Sequence, residues 1–229
     1  MGTDRRRVAD IEPMTYSVKE IYYTIQGEGA NAGRAAVFLR FAGCNLWSGR
    51  EKDRHKGPGG CSRWCDTSFV GTDGPGGGTF NDADSLVQAV VDKWPTRVDP
   101  HYRGFVVCTG GEPLLQVDAM LLKAFEAQFF AVAIETNGTQ SAPLGQVWLT
   151  VSPKADAPLN IRKGNELKLV YPQERMDPEQ FVDLEFDHFY LQPKDGPEQV
   201  QNTQLAIDYC LKHPLWRLSV QTHKYIGVP

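Results

Sequence analysis

Apolar residues come in short bursts along this chain, and the bursts alternate between two periods. Val37–Phe41 is an apolar run ending at Gly43–Cys44 and reads as a strand. Leu86, Val87, Val90, Val91 and Trp94 fall on one helical face, which Asn81 would cap and Pro95 would end. Phe105–Cys108 is a buried strand, followed by the turn Thr109-Gly110-Gly111-Glu112-Pro113. Leu114 to about Ala127 predicts a helix with Leu114, Val117, Leu121, Leu122 and Phe125 turned inward. Phe130–Thr136, Val147–Val151, Glu166–Val170 and Phe189–Leu191 read as further strands, Asn202–Lys212 as a helix, and Leu218–Gln221 as a last strand.

Strands followed repeatedly by helices predict a parallel sheet with right-handed crossovers. The polar clusters gather just past the strands: Cys44 onward, Thr109–Glu112, Glu135–Asn137, Ser152–Lys154 and Gln192–Asp195. In barrel-like α/β folds, sites form at the C-terminal strand ends. At 229 residues the chain is short for eight βα units, so the expected fold class is α/β with a partial, open barrel. The Gly-rich stretch Gly71–Gly78 reads as a surface excursion. Residues 1–13 read as a tail, with Met14 a candidate internal start, and 14–229 as one domain.

Composition narrows the function. Hydrophobic residues at 41% and charged residues at 23% describe a globular chain. A net charge of −4 argues against non-specific nucleic-acid binding, which needs a strong positive field. No apolar run approaches the ~20 residues that cross a bilayer. Three arginines near the start have no apolar stretch behind them, which is not a secretory signal. The expectation is a cytoplasmic protein.

Five cysteines make an odd count in a chain expected in a reducing compartment, so a disulfide framework is not predicted. Cys108 ends an apolar run, and Cys210 shares a helical face with Leu205 and Ala206; both read as core thiols. Cys44, Cys61 and Cys65 differ, because they lie in a charged, Gly-rich, loop-like region. Sixteen residues separate the first two and three separate the last two. Zinc in a closed site wants four ligands and could recruit His55. Three thiolates on a four-iron cube would leave one iron free to bind a small molecule.

Cys44…Cys61…Trp64-Cys65, together with Gly110-Gly111-Glu112-Pro113, resembles the radical S-adenosylmethionine (SAM) superfamily. Tyr23-Thr24-Ile25-Gln26-Gly27-Glu28-Gly29, Phe38–Trp47, Cys65-Asp66-Thr67, Glu135–Gly138, Ser152-Pro153-Lys154 and Gln221–Tyr225 are similar to the 7-carboxy-7-deazaguanine synthase family within it. The resemblance runs from about Met14 to Pro229. It implies a partial, open (β/α)6-like barrel with a [4Fe–4S] cluster on Cys44, Cys61 and Cys65. The gap of three between Cys61 and Cys65 departs from the family's two, so an outward bulge is expected there.

The resemblance also implies site residues. Trp64, Cys65, Asp66, Gly111, Ser152, Pro153, Lys154, Gln192, Pro193, Lys194 and Asp195 would surround SAM, and Thr67 would offer its hydroxyl to Mg²⁺. Ile25, Gln26 and Gly27 would meet a flat pterin through their backbone. Arg40 would fork onto the substrate carboxylate, Thr109 would add a polar contact, and the terminal carboxylate of Pro229 would fold back onto the substrate. His223 reads as structural. The reaction implied is conversion of 6-carboxy-5,6,7,8-tetrahydropterin to 7-carboxy-7-deazaguanine, with hydrogen abstraction by a 5′-deoxyadenosyl radical, ring contraction and loss of ammonia. Flavodoxin or ferredoxin would supply electrons, and a homodimer is expected. Other readings of the residues are a glycyl-radical-activating enzyme and a non-enzymatic metal-binding module.

Overall fold

Along β4 (Gly104–Gly110), successive side chains serve two different cores. Val106 and Cys108 face a large core beneath the helices, while Phe105 and Val107 join Ala36 and Ala133 in a smaller cluster on the other face. The computed structural model describes residues 15–95, 102–142 and 145–229, so the expected tail 1–13 and Met14 lie outside the described residues. Its other strands are β1 (Tyr16–Ile25), β2 (Ala35–Phe41), β3 (Gly78–Phe80), β5 (Phe130–Thr136), β6 (Trp148–Val151), β7 (Lys163–Tyr171), β8 (Glu185–Pro193) and β9 (Trp216–Leu218). They form one nine-stranded sheet in the order β3-β1-β2-β4-β5-β6-β7-β8-β9. From β2 to β9 every neighbouring pair is parallel, while β1 and β3 add antiparallel at one edge. The sheet is not closed, in agreement with the open barrel expected.

Helices α1 (Ala83–Val91), α2 (Ala119–Ala127) and α3 (Gln199–Lys212) cover it, and a short α4 (Thr222–Ile226) carries the tail. Strand-then-helix alternation is incomplete, because no helix joins β6 to β7. The cap of α1 is Asp82, whose carboxylate accepts from Ser85 N–H (2.7 Å), rather than Asn81. The single helix expected from Leu114 is two pieces. Glu112 caps a 3-10 turn, Pro113–Leu115, and Asp118 caps α2 by accepting from Leu121 N–H (2.8 Å). Cys108 is fully buried, as expected. Cys210 is half-buried and packs with Tyr209 against the large core, on the stripe of α3 that runs through Asn202 and Ala206, whereas Leu205 is exposed.

Two strands escaped the sequence. β1 carries a bulge between Val18 and Glu20, which switches its alternation. Tyr16, Val18 and Ile21 enter the large core, whereas Glu20 and Tyr22 turn to the opposite side. β3 is three residues at the end of the Gly-rich excursion. The last strand, Trp216–Leu218, starts two residues and ends three residues earlier than expected.

Candidate functional site

The C-terminal ends of the parallel strands surround a cavity of about 450 Å³. Its wall brings together Cys44, Cys61 and Cys65, all carried by the one long connection from β2 to β3. The glycine turn after β4 sets the first loop. A Cβ on Gly111 would lie 2.0 Å from the Gly43 carbonyl oxygen and 2.7 Å from Cys44 Cβ, so only glycine lets β4 approach the Cys44 loop. Glu112 N–H then donates to that Gly43 oxygen (3.0 Å). The Glu112 side chain is completely buried and accepts from Thr136 Oγ1 (2.7 Å), Asn137 N–H (2.8 Å) and Leu114 N–H (3.0 Å). It clips the end of β5 to the end of β4.

Cys61 and Cys65 lie on a tight turn. Gly60–Arg63 is 3-10, and Cys65 N–H donates to the Cys61 carbonyl (2.8 Å). The residue in excess of the family spacing therefore closes one helical turn instead of bulging outward. This corrects the expectation, and the reason is that an i, i+4 spacing returns both side chains to one side. Leu46 N–H donates to Cys44 Sγ (3.4 Å). Burial pushes the Cys61 thiol up to about 11 and raises Cys44 as well. A coordinating metal would instead hold them as thiolates. Three thiols in one wall, one of them already accepting from a backbone N–H, fit a cluster that takes three protein ligands. No three His, Cys, Asp or Glu side chains among the described residues are grouped so as to hold one metal ion. His55 is exposed and does not line the cavity.

Most other expected residues share the wall: Trp64, Asp66, Thr67, Thr109, Gly111, Ser152, Lys154, Gln192, Ile25, Gln26, Arg40 and Pro229. Lys154 Nζ donates to Ser152 O (2.9 Å) and Oγ (2.6 Å) and stands over the Trp64 ring at 5.9 Å. Arg40 is ion-paired, donating from Nε to Glu20 (2.7 Å) and from one terminal nitrogen to the Tyr22 hydroxyl (3.1 Å). Pro229 folds back, its oxygen accepting from Thr24 Oγ1 (2.9 Å). Gly27, Pro153, Pro193, Lys194 and Asp195 do not line the cavity. The close approach at Gly27 is to the tail: a Cβ there would lie 2.2 Å from His223 Nδ1 and 2.8 Å from His223 N. Asp195 accepts from Lys224 (2.5 Å), which also reaches Asp66 (3.1 Å).

Sequence reasoning missed the charged floor of the cavity. Lys168 is only 4% exposed and pairs with Glu28 and, at 3.4 Å, with Glu135. Glu28 also accepts from Gln192 (3.2 Å) and Gln221 (3.0 Å), and Glu135 accepts from Gln26 (3.0 Å). Burial opposes the charge on Glu28, but Lys168 holds its carboxyl below the usual range. Burial likewise opposes the Lys168 charge, and Glu135, Glu28 and Glu166 together raise it. A signal was present: Glu166 and Lys168 stand two apart in an otherwise apolar strand, so both charges face the same side.

An open, mostly parallel sheet with three thiols and a glycine turn at its C-terminal edge defines an α/β enzyme of the radical SAM class. The chain resembles the crystal structure of QueE from Escherichia coli, with a TM-score of 0.64 and 25% identity over 90% of this chain and 94% of that one. It is 59% identical over 216 residues to the 7-carboxy-7-deazaguanine synthase of Caulobacter vibrioides, covering 94% of this chain and 100% of that protein. The enzyme of the same name from Burkholderia multivorans is 57% identical, with the same coverage. No protein-family model matches the chain. The chain belongs to the 7-carboxy-7-deazaguanine synthase family, whose cofactors are a [4Fe–4S] cluster and SAM.

Proposed function

We propose that this cavity holds 6-carboxy-5,6,7,8-tetrahydropterin beside a cluster on Cys44, Cys61 and Cys65, and that the enzyme releases 7-carboxy-7-deazaguanine and ammonia. The observation that carries this reading is that the three thiols share one wall with Gln26, Arg40, Thr109 and Pro229. When bound, the cluster and SAM supply hydrogen-atom abstraction at the pterin C6, the chemistry that ring contraction requires.

The chain's own residues orient the reactants. Gly111, Ser152 and Lys154 offer backbone and cationic groups to the amino-acid end of SAM, with Trp64, Asp66 and Gln192 around the remainder. Arg40 meets the substrate carboxylate with the donors that Glu20 and Tyr22 leave free, and those two partners fix its plane beforehand. The backbone of Ile25 and Gln26, the Thr109 hydroxyl and Pro229 complete the pterin contacts. Thr67, which lines the cavity, would offer its hydroxyl to Mg²⁺, a hard cation that takes oxygen ligands. Flavodoxin or ferredoxin serves as electron donor, and the working unit is a homodimer in the cytoplasm. No helix of the described residues is long and apolar enough to cross a membrane.

The test is an anaerobic assay of reconstituted protein with SAM, Mg²⁺, a low-potential reductant and the carboxytetrahydropterin, read by mass spectrometry. SAM-dependent 7-carboxy-7-deazaguanine is expected. 5′-Deoxyadenosine without that product would overturn the substrate and favour a protein-activating enzyme. Neither compound from a fully loaded cluster would overturn the reaction. Arg40→Ala should raise KM roughly ten-fold or more, the worth of a hydrogen bond to a charged group, while SAM still binds.

A further inference from the structure

The sixteen residues between Cys44 and Cys61 fold back on both arms of the cysteine motif, and one side chain does most of the joining. Arg54 stacks its guanidinium over the Trp47 ring, three residues beyond Cys44, at 4.9 Å. The same guanidinium donates to the carbonyl of Ser62 (2.9 Å) and to that of Cys65 itself (3.2 Å). Glu51 holds it from behind, with both carboxylate oxygens 2.8 Å from Nε. The connection is built around this contact. A Cβ on Gly57 would lie 2.4 Å from the Leu46 carbonyl and 2.7 Å from Trp47 Cβ, so this stretch presses on the Cys44 arm. Gly60 N–H donates to Ala155 O (2.8 Å), anchoring the other end beside Lys154.

We propose that Arg54 is a positioning residue for the cluster. It locks the Cys44 arm to the Cys61–Cys65 turn before iron arrives, and it places a fixed positive charge at the Cys65 carbonyl. Ligand-orienting contacts of this kind are worth roughly ten- to a hundred-fold in metal retention. A cation beside a cluster also favours its reduced, more negative state, so net charge and hydrogen bonding around the sulfurs tune the potential. The planar fork and the ring stacking are features of arginine that lysine lacks. The inference rests on reading Cys44, Cys61 and Cys65 as cluster ligands.

The experiment compares wild type, Arg54→Gln and Arg54→Lys after anaerobic reconstitution. Three quantities are read: iron per chain, the rate of iron loss to a chelator, and the midpoint potential followed by electron paramagnetic resonance. Melting of the metal-free proteins serves as the folding control. Both variants should lose iron roughly ten-fold faster than wild type at an unchanged metal-free melting temperature. Arg54→Gln should also move the midpoint to lower potential, while Arg54→Lys, which keeps the charge, should stay near the wild-type value. Wild-type retention and potential in Arg54→Gln would overturn the proposal. So would iron loss that merely follows a fall in metal-free melting, with no change of potential. A wild-type chain that fails to take up four irons would instead overturn the cluster reading beneath it.

Discussion

The two sides of the cavity are built on different plans. On the side of β4 and β5, the wall is made by segments nearer in sequence: two glycines, a buried glutamate, and the Thr136-Asn137 pair, of which Asn137 is 25 positions from that glutamate. Its working parts are backbone groups held in place by close approach. The floor is made by charges from distant segments, and Glu28 and Gln221, which meet on it, are 193 positions apart. There the side chains themselves hold the shape, and Lys168 is the only cation paired with Glu28 and Glu135 among the described residues. The first plan fixes its shape by close backbone approach and by one buried carboxylate whose acceptor bonds stay within the protein. The second depends on charges balancing one another out of water, where removing one member exposes the rest.

The largest way to break this contrast is Lys168→Met. It leaves Glu28 and Glu135 facing each other without a cation, and the expected loss of unfolding free energy is about 3–5 kcal/mol by urea denaturation. A loss below about 1 kcal/mol would mean that water or a neighbouring amide compensates the carboxylates. Glu112→Gln comes next. The amide retains one acceptor but turns a donor toward Thr136 Oγ1 or Asn137 N–H, and roughly 1–3 kcal/mol should be lost in the same measurement.

The smallest effect concerns Glu166. Burial raises its carboxyl above the ordinary 4.5, against the pull of Lys168. A carboxyl raised by folding binds more protons in the folded chain than in the unfolded one. Its contribution to stability is therefore complete below pH 4.5 and declines as pH rises through the folded value. Glu166→Gln should flatten that part of the stability–pH curve, and an unchanged slope would show that another group produces it. Glu28 works in the opposite sense: its lowered carboxyl stabilises the fold above 4.5, and that stability fades as pH falls.

The same contrast decides what could be read from the sequence. The parallel strands β2, β4, β5 and β6 were legible because each is a short apolar run bounded by turn residues, and Phe130–Thr136 is matched at both ends. The strand-end clusters were legible for the same reason: a parallel sheet carries its polar motifs just past the apolar runs. The three thiols stood out because they lie where no core needs them. β1 was not legible, since its bulge breaks the period-two pattern on which a strand reading rests. The floor was only half-marked: Glu166 and Lys168 share one side of their strand, but nothing local shows that Glu28, 140 positions away, meets Lys168. Gly27 was legible as a place of close approach, but what approaches it is His223 in the tail. The tail's own helix, α4, is five residues long and too short to leave a periodic pattern.

The contrast is tested most directly by titrating Gly111→Ala and Gly27→Ala, each loaded with cluster, with SAM and with the carboxytetrahydropterin by calorimetry. An added methyl at Gly111 must push back the Gly43 backbone and the Cys44 loop, whereas one at Gly27 must displace His223 and the tail that ends at Pro229. Crossed losses are expected. Gly111→Ala should weaken SAM at least ten-fold, and Gly27→Ala should weaken the pterin by a similar factor in the presence of SAM while leaving SAM itself unchanged, at roughly 1.4 kcal/mol per ten-fold. Equal loss of both ligands in both variants would contradict it, because the two walls would then be one cooperative structure.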